Sequence, residues 1–90
     1  MFIIEDEAHA EEQEGEFATF HDAVAELRRR ARIPWDVQPN RAPCSSWGEC
    51  GRRYEVVEFD VSASLRKEVR RVPVLDISAQ GAHWSAGFEP

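Results

Sequence analysis

Thr19-Phe20-His21-Asp22-Ala23-Val24-Ala25-Glu26-Leu27-Arg28-Arg29-Arg30-Ala31-Arg32-Ile33-Pro34 is the stretch on which the fold turns. Phe20, Ala23, Val24, Leu27 and Ala31 recur at the spacing that gathers residues on one helical face. Thr19 suits an N-cap, with Asp22 three residues on in a near-capping-box arrangement. Acids (Asp22, Glu26) sit in the first half and Arg28, Arg29, Arg30 and Arg32 in the second, which complements the helix dipole. Pro34 drives Ile33 away from helical geometry and ends the element. The spacing therefore predicts a helix over 20–32 with one apolar stripe, and that stripe needs a surface to cover.

Strands on either side supply the surface. Upstream, Phe2-Ile3-Ile4 reads as a short strand, the acid-rich residues 8–15 as its turn, and Glu16-Phe17-Ala18 as a returning strand. Downstream, 53–61 has the β-branched and aromatic content of a strand, with Val57, Phe59 and Val61 on one face and Tyr54 and Val56 on the other. Residues 62–69 read as a polar connection with a helical turn near Ser64–Glu68. The last long strand is 71–79, where Pro73 favours an edge or a bulge. Gly81 turns the chain, His83-Trp84 continues the strand or folds over the core, and residues 85–90 fray.

None of the strands is joined by a crossover helix, so the expected fold is α+β: a mostly antiparallel sheet of three to four strands, with helix 20–32 packed on one face. Ninety residues leave room for one core, hence a single domain over 1–90. Between helix and sheet, residues 34–51 carry Pro34, Trp35, Pro39, Asn40, Pro43, Cys44, Trp47, Gly48 and Cys50 without periodicity. Disordered linkers are poor in aromatics, and Trp35 and Trp47 offer large apolar areas to bury. This segment is expected to be an ordered loop.

Hydrophobic residues at 42% and charged residues at 31% are ordinary for a globular chain. The opening Met1–Glu7 lacks a basic region and an apolar core, and no run approaches a membrane span, so a cytoplasmic protein without a membrane partner is expected. A net charge of −6 weighs against generic nucleic-acid binding. The charge is unevenly spread: residues 1–16 hold seven acids and no base, while every Lys and Arg lies between Arg28 and Arg71. Trp35, Trp47 and Tyr54 lie among ten arginines there, which suits phosphate or single-stranded nucleic acid. The simpler reading is that the basic stretch neutralises the acidic amino-terminal strand and turn within one fold.

Cys44-Ser45-Ser46-Trp47-Gly48-Glu49-Cys50 places five residues between the cysteines, more than the about two to four of a zinc knuckle. His83 is the chosen third ligand, with His21, His9, Asp36 and Glu49 also available. In a reducing compartment unreactive thiols come first, zinc second, and a disulfide or redox switch third. A Cys/His nucleophile needs partners that are found in space. The sequence orders none, so no enzyme, catalytic residue or obligatory cofactor is expected.

The sequence does not determine a function. Its preferred reading is a small non-enzymatic protein-interaction or adaptor domain. Loop 34–54 would engage a protein partner or a second copy through Trp35, Asp36, Arg41, Trp47, Arg52 and Tyr54. A zinc-stabilised domain built on Cys44, Cys50 and His83 comes second, and a phosphate or nucleic-acid binder through residues 28–71 third.

Overall fold

The computed structural model describes residues 1–44, 50–62 and 65–89. Trp47 and Ser64 fall outside them. The chain runs β1 (Phe2–Asp6), a 3₁₀ turn (Glu7–His9), β2 (Glu11–Glu12), α1 (Phe20–Arg30), β3 (Arg52–Asp60), β4 (Lys67–Ser78) and β5 (Gly81–Trp84). The strands form one sheet in the order β2-β1-β3-β4-β5, every neighbouring pair antiparallel. The α+β class stands, and the strand count is corrected from three to four up to five.

Each difference has a physical source. Glu16-Phe17-Ala18 is not a strand: Phe17 makes a single antiparallel bridge to Phe2, and the paired return is the acidic dipeptide Glu11–Glu12. β4 begins at Lys67, inside the stretch read as a connection, because Glu58 and Arg70 and then Asp60 and Lys67 stand opposite each other across the ladder. Residues 67–70 are exposed, so the strand shows no apolar alternation there. β5 becomes a separate strand because Gly81 takes φ +105°, which side chains rarely adopt, and folds Trp84 back beside Leu75.

Helix α1 forms as the spacing requires. Thr19 Oγ1 accepts the Asp22 N–H at 3.0 Å, and Ala23, Val24 and Leu27 are buried. Ala23 and Leu27 pack with Ile4, Tyr54, Val56, Val74, Leu75 and Ile77, flanked by Phe2, Phe20, Trp35 and Trp84. Full burial of a side chain such as Leu27 stabilises by about 1.5–3 kcal/mol. The regular helix stops at Arg30, short of the expected Arg32, and tightens into bonds from Arg32 N–H to Arg29 O and from Ile33 N–H to Arg30 O. Near the chain end, the Phe88 ring packs against Phe20 at 6.0 Å.

Glu26 joins the exposed Arg29 to the buried Arg30, accepting from Arg29 Nη2 and Arg30 Nε at 2.7 Å each. The Arg29 hydrogen bond, seconded by Arg30 and opposed by burial, holds the Glu26 carboxyl below its ordinary value. A lowered folded-state pKa contributes stability above the ordinary carboxylate range and loses it as pH falls through the lowered value. Glu26→Gln is expected to cost about 1 kcal/mol at neutral pH. The gap from the parent chain should close in acid, and urea unfolding at several pH values measures it. A gap that stays constant would show that the ionised pair contributes nothing.

The cysteines differ from the expectation of free thiols: Cys44 and Cys50 are joined in a disulfide. Among the described residues, no helix is long and apolar enough to cross a membrane.

Candidate functional site

The site is built around Asp6, the last residue of β1. Its side chain is fully buried and caps the following 3₁₀ turn, Oδ1 accepting the N–H groups of Ala8 and Arg53 at 3.1 Å each. Oδ2 accepts Arg52 Nη1 at 3.0 Å and faces His9 Nδ1 at 2.6 Å. The 3₁₀ turn Glu7–His9, which Asp6 caps, brings the His9 ring back over the same carboxylate. Ala10, at φ +51°, ends that turn immediately after His9.

Asp6 also fixes the tautomer. A carboxylate oxygen only accepts, so the imidazole proton sits on Nδ1, and in the neutral ring Nε2 keeps its lone pair. Nε2 lies 3.1 Å from Cys44 Sγ. The bonding atoms of His9, Cys44 and Cys50 all lie within 4.8 Å of one another, and all three residues are half-buried.

Both cysteines are held from the sides. Arg52 is buried and donates to the carbonyls of Asn40 and Arg41 at 3.2 and 2.7 Å, which ties the segment leading to Cys44 to Asp6. Asn40 and Ala42 are themselves buried. On the other side, Gly51 follows Cys50 and lies so close to β4 that a Cβ would clash with the Ile77 carbonyl oxygen. Only glycine allows the backbone to approach there.

No family model, curated protein or solved structure matches this chain.

The residues singled out from the sequence divide. Cys44 and Cys50 meet, but their third partner is His9 in place of His83. His83 stands opposite Asp76 on β5 and lines an open hollow with Ala8, Gly51 and Arg53. Of the loop residues taken as a contact surface, Arg52 and Tyr54 are buried. Tyr54 donates its hydroxyl to Asn40 Oδ1 at 3.0 Å, with the Arg30 guanidinium over its ring. Burial pushes the Tyr54 hydroxyl pKa up, and Arg30 opposes that rise. Trp35 is half-buried against the core, and Asp36 and Arg41 are exposed.

The uneven charge also finds its place. Arg52 pairs with Asp6 and Glu11, Arg53 with Glu7, Arg66 with Glu12, and Arg71 with Glu5. Those are the acids of the amino-terminal strand and turn. Sequence reasoning passed over Asp6 and Asn40. The one available signal was Asp6-Glu7-Ala8-His9, an acid and a histidine three residues apart at the end of a strand.

Proposed function

We propose that this domain is a thiol–disulfide switch, with Cys44 and Cys50 as the redox pair and His9 as its proton carrier. The supporting observation is the line from buried Asp6 through His9 to Cys44, in which Nδ1 is engaged at 2.6 Å and Nε2 stands 3.1 Å from the sulfur. A disulfide that served only as a staple would need no oriented imidazole beside it.

In the reductive direction the co-reactant is a monothiol. The monothiol loses its proton to His9 Nε2, and the resulting thiolate attacks Cys50 Sγ. The new bond is a mixed disulfide on Cys50, and the S–S bond breaks with its electron pair on Cys44. Cys44 takes the proton from His9 Nε2 and leaves as a thiol. A second monothiol then attacks the mixed disulfide, releasing Cys50 as a thiol and the co-reactant as its own disulfide. Two electrons reach the protein for two monothiols oxidised. Protonation of the leaving sulfur favours exchange because rates depend on the leaving thiol, and Cys44 is the sulfur that His9 adjoins. In the reverse direction His9 takes the Cys44 proton and raises the thiolate that attacks.

The test is the rate at which glutathione reduces the folded protein, followed by thiol titration and by mass. His9→Ala is expected to slow reduction at neutral pH by about tenfold or more, a smaller factor than the about 10²–10⁴-fold that a positioned proton carrier contributes to catalysis. His83→Ala should leave the rate unchanged. Equal rates for the parent chain and His9→Ala across the pH range would sink the proposal.

A further inference from the structure

We infer that the reduced pair, together with His9, forms a binding site for one zinc ion. The inference rests on the proposed reduction, because a disulfide sulfur has no thiolate to offer. Zinc is bound tetrahedrally by thiolate and imidazole at about 2.3 and 2.0–2.1 Å, which sets neighbouring ligand atoms about 3.5 Å apart. Cys44 Sγ, Cys50 Sγ and His9 Nε2 already converge within 4.8 Å. Opening the S–S bond lets the two sulfurs part to that spacing, so the ligand set forms without bringing in distant residues.

Two further features fit a metal. A ligating histidine commonly donates its other ring N–H to a carboxylate, which fixes ring orientation and raises its basicity. Asp6 stands at Nδ1 in that position, buried and itself fixed by Arg52 and two backbone N–H groups. The ligand types also select the ion: two thiolates and an imidazole suit zinc, whereas magnesium and calcium prefer oxygen. Two thiolates balance the charge of a divalent ion. Among the described residues three ligands converge, and with water or an exogenous ligand in the fourth position they match the pattern of an open zinc site. Oxidation by a low-molecular-weight disulfide would then eject the metal, since forming the S–S bond consumes both thiolates and its two electrons reduce that disulfide to two monothiols.

The full-length chain, reduced and freed of reductant without oxygen, is titrated with zinc against a chromophoric chelator, and with cobalt as an optical probe. We expect one ion per chain, with thiolate-to-cobalt charge transfer and tetrahedral ligand-field bands. The oxidised protein should bind none. Cys44→Ser and Cys50→Ser should abolish the charge-transfer pair of sulfurs, and His9→Ala should weaken binding at least tenfold while His83→Ala leaves it unchanged. A folded, reduced chain that ignores micromolar zinc, or an affinity indifferent to His9→Ala, would overturn the site. If glutathione reduction depends on His9 but zinc does not bind, this inference fails and the switch survives. If glutathione cannot open the disulfide, the switch fails, and reduction in denaturant followed by refolding with zinc decides the metal site alone.

Discussion

Asp6→Ala is expected to lower the unfolding free energy by about 3–5 kcal/mol, the cost of removing one partner from a buried ion pair. The Asp6 side chain is 0% exposed and that of Arg52 only 5%, so solvent does little to replace the lost charge. Arg52 would keep the Asn40 and Arg41 carbonyls and an ion pair to Glu11 at 3.2 Å, but Glu11 is 41% exposed and weakly competent to balance a buried guanidinium. The N–H groups of Ala8 and Arg53 lose their acceptor as well. Asp6→Asn should rescue little. One amide oxygen replaces two carboxylate oxygens, and the new NH₂ group must face either the backbone donors or Arg52 and His9. Urea unfolding with the disulfide intact measures both variants, and stability within experimental error of the parent would show that the Asp6–Arg52 pair merely breaks even with its desolvation.

That Asp6 carries so much was not visible in the sequence, and the reason is instructive. Apolar periodicity reports which residues face a core, and it located α1, β1, β3 and the buried half of β4 because Ile4, Leu27, Val56 and Leu75 all obey it. Glu11–Glu12 obeys nothing of the kind. Its strand exists because Arg52 and Arg66, from β3 and the β3–β4 connection, neutralise an acidic edge that alone would repel itself. Asp6 belongs to the same acidic run, and a run of acids reads as a solvated turn whichever of its members is buried.

The histidine that stands beside the cysteines is His9 and not His83, for a related reason. His9 lies in the acid-rich run, where no periodicity or spacing marks it as a neighbour of the cysteines. Three-dimensional proximity to Cys44 depends on the 3₁₀ turn that Asp6 caps, and that turn depends on contacts to Arg52 and Arg53, 46 and 47 residues away. Of the residues taken as a contact surface in 34–54, two of the most conspicuous, Arg52 and Tyr54, are buried and hold the Asn40–Arg41 segment from beneath. Residue types enriched in interfaces are the same types that tie a loop down in a small domain, and only burial separates the two roles.

Asn40→Ala is expected to cost about 2–4 kcal/mol, from buried groups left without partners at roughly 1–3 kcal/mol each. Asn40 is 0% exposed. Its Nδ2 donates to the carbonyls of Arg30 and Ile33 at 2.8 and 2.9 Å, satisfying the open end of α1, and its Oδ1 accepts the Tyr54 hydroxyl at 3.0 Å. One side chain thus joins the helix, the loop and β3. Alanine frees all of these groups, and the Tyr54 hydroxyl keeps a longer contact to the Pro39 carbonyl at 3.4 Å. Asn40→Asp should be at least as damaging, because it presents a carboxylate to two carbonyl oxygens. Pairing Asn40→Ala with Tyr54→Phe in a double-mutant cycle separates the two functions of the side chain. The hydroxyl bond should appear as a coupling of about 1 kcal/mol, and the remainder of the Asn40 cost belongs to the helix end. An additive cycle would assign the whole cost to the carbonyls of Arg30 and Ile33. Because the Asn40 side chain anchors the backbone that leads to Cys44 onto the helix end and Tyr54, the same variant should loosen the segment that carries Cys44 and speed glutathione reduction of the disulfide, even as it weakens the fold.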